Sequence, residues 1–180
     1  MAGNGPSVIM DSTAMEKALI RMAHEIWERN RAEGDKLLIL GIPARGDILA
    51  KRIAGFMEHD AGKPVPCGIL DITFYRDDVG SKASKPKKSD IPVPIDGKLI
   101  VLVDDVLFTG RSIRAAMDAL VDLGRPAGIQ LAVLVDRGHR ELPIKADFVG
   151  KNVPTQENTA IKVTLKESDG SEAVVLEVAQ

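Results

Sequence analysis

The stretch VLVDDVLFTGRS, from Val101 to Ser112, sets an apolar run against two adjacent carboxylates, Asp104 and Asp105, and then a small turn of Thr109, Gly110, Arg111 and Ser112. A packed core has no use for paired acids, because burying an ionised carboxylate without partners is costly. In an open parallel sheet, ligands sit beyond the carboxyl ends of the strands, and the two acids fall there if LIVLV is a strand. The turn then opens the following helix, where unpaired backbone N–H groups and the positive end of the helix dipole hold an anion. Gly110 allows close backbone approach, and the hydroxyls of Thr109 and Ser112 add donors. Such a cup suits a phosphate. The carboxylates would repel that same phosphate, so they are read as accepting hydrogen bonds from sugar hydroxyls or holding a hydrated divalent cation. A phosphate at one end and a diol at the other describe a ribose 5-phosphate. A plain surface turn, or an aspartate pair binding magnesium as in receiver-type domains, leaves the Thr-Gly-Arg-Ser turn unexplained. No G-x-x-x-x-G-K is present for a nucleotide-binding P-loop.

The surrounding pattern supplies elements to position these groups. Met15, Leu19, Met22 and Ile26 recur at a helical period, with Thr13 and Glu16 spaced as a capping box and an end near Asn30. KLLILGI from Lys36 reads as a strand buried on both faces, and Gly46 opens a helix marked by Leu49, Ile53 and Phe56. GILDITFY from Gly68, KLIVLVD from Lys98 and IQLAVLVD from Ile129 read as further strands. The helix of Ile113, Ala116, Met117, Leu120 and Val121 ends at Gly124 and Pro126. AIKVTL and AVVLEV, joined through Asp169-Gly170, read as a terminal hairpin packed on the main sheet. Alternating strands and helices predict an α/β fold, a mostly parallel sheet flanked by helices with right-handed crossovers. From Arg76 to Gly97 neither period is present, and lysines and prolines recur, so this segment is expected to be an exposed loop of the kind that covers active sites.

At 180 residues the chain fits a single domain, 1–180. No apolar run approaches the roughly 20 residues of a membrane span, and the N-terminus lacks the basic start and long apolar stretch of a signal peptide, so a cytoplasmic location is expected. The single cysteine, Cys67, has no partner for an internal disulfide and reads as a small buried hydrophobe. A formal net charge of -2 excludes global attraction to nucleic acid and leaves only a local basic face.

The Val101–Ser112 segment resembles the phosphoribosyl pyrophosphate signature of the type I phosphoribosyltransferases. GIPARG resembles that family's pyrophosphate-binding turn, DITFYRDD the start of its catalytic lid, and LAVLVDRGHRELPIKADFVGKNVPT the region covering the base. Together they are similar to the bacterial pyrimidine operon regulators that are also uracil phosphoribosyltransferases, over nearly the whole chain. The resemblance implies a type I phosphoribosyltransferase fold with a lid loop at about 76–97 and a small hood formed by about 136–180 with part of the N-terminus. It implies that Asp104 and Asp105 bind the ribose hydroxyls, directly or through water on magnesium, and that Val106, Leu107, Phe108, Thr109, Gly110, Arg111 and Ser112 form the phosphate loop. Ala44, Arg45 and Gly46 would meet pyrophosphate in a turn that often holds a non-proline cis peptide, and Arg76 would close onto the departing group. The reaction implied is transfer of phosphoribosyl from phosphoribosyl pyrophosphate to uracil, giving UMP and pyrophosphate. Base contacts are expected from Arg137, Phe148 and Val149, although core packing is the slightly better reading of Phe148.

The second implied activity is binding of the leader RNA of pyrimidine messages, with uridine nucleotide as effector. Arg137, His139, Arg140, Lys145 and Lys151 cluster within a short stretch, and Arg21 and His24 lie about one turn apart on the first helix. If these faces converge they form a basic surface suited to RNA; otherwise they are scattered solubilising charge. Relatives of this kind are dimers or larger homo-oligomers. Two alternatives stay open: a purine or other type I phosphoribosyltransferase without RNA binding, and a nucleotide-sensing RNA regulator without catalysis.

Overall fold

The computed structural model describes residues 6–77 and 88–178. The elements are β1 (Ser7–Asp11), α1 (Ser12–Asn30), β2 (Leu37–Gly41), α2 (Gly46–Ala61), β3 (Cys67–Ile69), β4 (Leu99–Leu107), α3 (Arg111–Leu123), β5 (Gly128–Asp136), β6 (Phe148–Asn152), β7 (Thr159–Thr164), the single turn α4 (Lys166–Asp169) and β8 (Ala173–Val178). Five strands form a parallel sheet in the order β3-β2-β4-β5-β6. Period-2 alternation divides its buried side chains between two cores. Leu37, Ile39, Val101 and Val103 meet Met15, Leu19, Met22, Ile26, Leu49 and Ile53 of α1 and α2. Leu38, Leu40, Ile100 and Leu102 meet Ile113, Ala116 and Leu120 of α3 on the other face. Each fully buried leucine or isoleucine contributes roughly 1.5–3 kcal/mol, which is why these strands read as unbroken apolar runs.

The terminal hairpin packs on the main sheet as expected, with Val163, Leu165 and Val174 in the core that holds Val101 and Val103, and β8 also pairs with β1 to give a separate antiparallel sheet, order β1-β8-β7. Three expectations need correction. β6, within the stretch assigned to the hood, is instead the edge strand of the main sheet beside β5. The strand from Gly68 ends after Ile69, because Asp71 Oδ1 accepts bonds from Thr73 N (2.9 Å) and Thr73 Oγ1 (2.6 Å) and turns the chain into a short 3-10 segment. Finally, α1 is capped by Asp11, whose Oδ1 accepts from Ala14 N at 2.8 Å, so Thr13 sits inside the first turn rather than at a capping box. β1 runs straight into α1, which leaves Asp11 as the last extended residue and the only one placed to reach that amide.

The lid segment lies partly outside the described residues, which stop at Asp77 and resume at Lys88. No helix among the described residues is long and apolar enough to cross a membrane. Loss of the α1 cap by Asp11→Ala is expected to cost about 1 kcal/mol, against a few tenths for Thr13→Ala, in urea unfolding of the two variants.

Candidate active site

Three segments meet at the carboxyl ends of β2, β4 and β5. The first is the turn from Ile42 to Arg45, between β2 and α2. Ile42 N donates to Val103 O at 2.9 Å, fixing the turn against β4. A Cβ on Gly46 would lie 2.5 Å from Val103 O, so only glycine lets α2 begin this close to the strand carrying the acids. The Pro43–Ala44 peptide is cis, and Arg45 follows with φ 82° at the start of α2. This turn thus presents backbone N–H groups and a helix N-terminus toward β4.

The second segment is the end of β4, which runs through Leu107 and so contains the acids rather than preceding them. Asp104 is buried, with its Oδ1 accepting from Asp105 N at 2.9 Å, and Asp105 Oδ1 accepts from Val106 N at 2.7 Å. Burial, reinforced by the charge of Asp105, pushes the Asp104 carboxyl well above its usual range, while the Arg76 charge opposes this. Burial raises Asp105 as well, against the pull of the Val106 N–H and of Arg45. A buried and a half-buried carboxylate this close ionise together only at a cost, which added positive charge would remove. Hard carboxylate oxygens with raised pKa values suit magnesium. Among the described residues no group of three or more metal-ligating side chains forms, so a cation here would take most of its ligands from water and substrate.

The third segment is the turn into α3. Gly110 caps the helix with φ 93°, a conformation that favours glycine, and a Cβ there would press on Ile144 at 3.3 Å. Thr109 Oγ1 accepts from Arg111 N at 3.3 Å. A cavity of about 300 Å³ is lined by Arg76, Asp104, Val106–Ile113, Asp77 and Glu141. It joins Asp104 of the acid pair to the first turn of α3. Arg111 itself is turned aside: its Nε donates to Glu141 (2.7 Å) and its Nη1 to Asp77 (2.9 Å), so its backbone, rather than its guanidinium, serves the cup. Sequence reasoning missed Asp77 and Glu141, which lie 34 and 30 residues from Arg111 and carry no local signal.

Over this cavity lies the loop after β5. Arg137 N donates to Leu107 O (3.1 Å), Glu141 N to Thr109 O (3.0 Å), and Arg140 Nη1 to Phe108 O (2.8 Å). The buried Arg137 guanidinium stands 4.0 Å above the Phe108 ring and donates to Thr155 Oγ1 (3.1 Å) and Thr159 O (2.8 Å). Its desolvation lowers its pKa. Phe148 and Val149 are not part of this cover. Phe148 pairs with Ala132, four residues before the Asp136–Asn152 pair that marks the strand ends; at ~3.3 Å per residue it lies about 13 Å from the mouth, within the α1/α2 core. The run FVG, within the stretch likened to the base cover, opens strand β6. The segments at that end are instead Asp136–His139 and the chain after Asn152.

The basic residues make separate local contacts. Arg21 donates to the carbonyls of Val149 (3.2 Å) and Gly150 (2.6 Å) and pairs with Glu25, and Lys151 Nζ donates to Ile9 O at 3.2 Å, so these two hold the β6 edge. His24 faces Asp60 of α2. His139 contacts Thr155 O (2.6 Å), Arg140 pairs with Asp136 (2.6 Å), and Lys145 is exposed in the loop before β6.

The family described as Phosphoribosyl transferase domain matches residues 7–168. The chain is 52% identical over 177 residues to the Bifunctional protein PyrR of Bacillus subtilis, covering 96% of this chain and 97% of that one. It is 54% identical over 170 residues to the Bifunctional protein PyrR of Pelotomaculum thermopropionicum, covering 93% of each. The hypoxanthine phosphoribosyltransferase of Trypanosoma cruzi superposes with TM-score 0.72 at 15% identity over 97% of both chains. One from Staphylococcus aureus does so with TM-score 0.71 at 16% identity, over 96% of this chain and 92% of that one. At these identities the likeness is one of fold.

The raised pKa of Asp104 has a sign that stability measurements can read. The unfolded carboxyl ionises near its ordinary 3.8 and the folded one at higher pH, so ionisation favours unfolding as pH rises from there to the folded value. Without magnesium, Asp104→Asn is expected to raise Tm at pH 7, by roughly 2–4 °C for each kcal/mol relieved, with the gain shrinking toward pH 4. Equal Tm values across that range would contradict the assignment.

Proposed function

The chain belongs to the phosphoribosyl transferase domain family, and on that premise we propose that it transfers phosphoribosyl from phosphoribosyl pyrophosphate to uracil, releasing pyrophosphate and forming UMP. The observation that carries this reading is the cavity that joins the buried Asp104, next to Asp105 on β4, to the glycine-capped N-terminus of α3. The 5-phosphate rests on the N–H groups of Gly110 to Ser112 with the Thr109 and Ser112 hydroxyls, while the carboxylates take the ribose diol at the other end. The sugar is thereby held at both ends, with C1 facing the turn that contains Arg45. Magnesium, when bound, supplies charge against the leaving pyrophosphate, with Asp104 and Asp105 as its protein contacts, direct or through water.

A bond forms between uracil N1 and C1 as the bond from C1 to the pyrophosphate oxygen breaks, and the N1 proton passes to solvent or to the released pyrophosphate. Negative charge grows on the departing group. Donors from the Ala44–Gly46 turn and from Arg76 bind it more strongly as the charge develops, which lowers the barrier. Arg137, pinned by Phe108 and Thr155, covers the base side and excludes water there. No covalent nucleophile is required.

The regulatory reading rests on the high identity to relatives named bifunctional. We infer binding of pyrimidine leader RNA in the cytoplasm, with UMP as effector, through Lys145 and the partly exposed Arg21 and His24. A homodimer would cover the exposed side chains of Phe74, Val121 and Leu123.

Pyrophosphate release measured with magnesium and each of uracil, orotate, adenine, hypoxanthine and guanine tests the enzyme. Uracil alone should support turnover, and Asp105→Asn should lower kcat/KM by about 100-fold or more; turnover with a purine would replace the uracil assignment. Fluorescence anisotropy with leader RNA should show binding that tightens with UMP and weakens steeply with salt. Binding indifferent to both would remove the regulatory role.

A further inference from the structure

Arg45 occupies a backbone position that glycine would fill at less cost. Its φ of 82° lies in the left-handed region, where a non-glycine residue is strained by about 1–3 kcal/mol. A side chain retained there has to be used. Its Nη2 donates to Asp169 Oδ1 at 3.0 Å and its Nε to Asp169 Oδ2 at 3.3 Å, a two-pronged contact spanning 124 residues. Asp169 ends α4, the turn between β7 and β8, far in sequence from every segment of the active site.

The carboxylate is itself fixed. Asp169 Oδ2 accepts from Leu165 N at 2.9 Å and from Ser168 Oγ at 2.8 Å. These bonds, with Arg45, bring its pKa down to about 2, so it stays charged throughout the physiological range. Arg52, from the same helix that Arg45 precedes, grips Glu167 at 2.6 Å and also pairs with Glu172, locking the hairpin turn onto α2. The Arg45 backbone caps α2 in the turn that Ile42 fixes against β4, the strand that carries the acid pair. The Arg45 guanidinium therefore links the hairpin to the turn beside the acids. Two of its five N–H donors meet Asp169, leaving three for another anion.

We propose that Asp169 is a positioning residue that holds the Arg45 guanidinium with its remaining donors toward the pyrophosphate of phosphoribosyl pyrophosphate, so that the small sheet takes part in the site without touching substrate. This rests on the phosphoribosyl transfer proposed above. A carboxylate that fixes the plane of an arginine lowers the ordering cost of anion binding. The contact acts on the pyrophosphate end alone, since the 5-phosphate cup on α3 is built from other residues.

The test compares wild type, Asp169→Asn, Arg45→Lys, Arg45→Ala and the double variant Asp169→Asn/Arg45→Ala. Asparagine keeps an oxygen for the Leu165 amide, and lysine keeps charge but loses the two-pronged geometry. Asp169→Asn and Arg45→Lys should each raise KM for phosphoribosyl pyrophosphate about tenfold, with Kd for UMP unchanged within about twofold and no added effect of Asp169→Asn on Arg45→Ala. An unchanged or lowered KM in Asp169→Asn overturns the proposal, as does a parallel loss of UMP affinity, which marks general damage to the fold. If wild type does not turn over uracil, the transferase reading fails instead. Calorimetric Kd values for inorganic pyrophosphate with magnesium in the same proteins then decide the positioning role: weaker binding in Asp169→Asn supports it and equal binding refutes it.

Discussion

Two adjacent carboxylates at the end of the central strand, one buried and one half-buried, are the constraint around which the rest is arranged. Asp104 and Asp105 both have raised pKa values because water has been withdrawn from them. The fold gains nothing from this. It tolerates the cost because β4, at the middle of the parallel sheet, is held on both edges by strands and on both faces by apolar side chains. The surroundings answer the acids with donors: backbone N–H groups of Asp105 and Val106, the Arg45 and Arg76 charges, and the helix N-termini of α2 and α3 on either side. The site is therefore a cluster of donors around two anions, poised for a ligand that carries hydroxyls, phosphates and a cation together.

Glycine makes this crowding sterically allowed. Gly46 lets α2 start against the Val103 carbonyl, and Gly110 turns the chain into α3 while packing under Ile144. Side chains then lock the loops that the glycines have brought near. Arg111 ties Asp77 to Glu141, Arg140 ties Asp136 to the Phe108 carbonyl, and Arg137 stacks on Phe108 while bonding to Thr155. Arginine suits each place because its planar fork bridges two partners at once.

The sheet and the ribose-phosphate cup were legible in the sequence because both are local. Unbroken apolar runs mark strands covered on two faces, and acids, glycine and hydroxyls follow one another within twelve residues of chain, Val101 to Ser112. Contacts at long range were not legible. Nothing near Asp169 announces Arg45, and nothing near Asp77 announces Arg111. Phe148 stood between base contact and core packing, and only its pairing with Ala132 in β6 decides for the core. Whether the basic residues share a face was not legible for a related reason: charge visible in sequence does not reveal that Arg21 also donates to the carbonyls of an edge strand. The cap of α1 was missed because Asp11 and Thr13 both fit, and the choice depends on where β1 ends.

The central claim is that one cavity grips a ribose 5-phosphate by its two ends. Calorimetric affinities of UMP, uridine and 2′,3′-dideoxyuridine 5′-monophosphate in magnesium test it most directly. The account predicts that loss of the phosphate and loss of the diol each weaken binding by about tenfold or more. Uridine or the dideoxy nucleotide binding as tightly as UMP would contradict it.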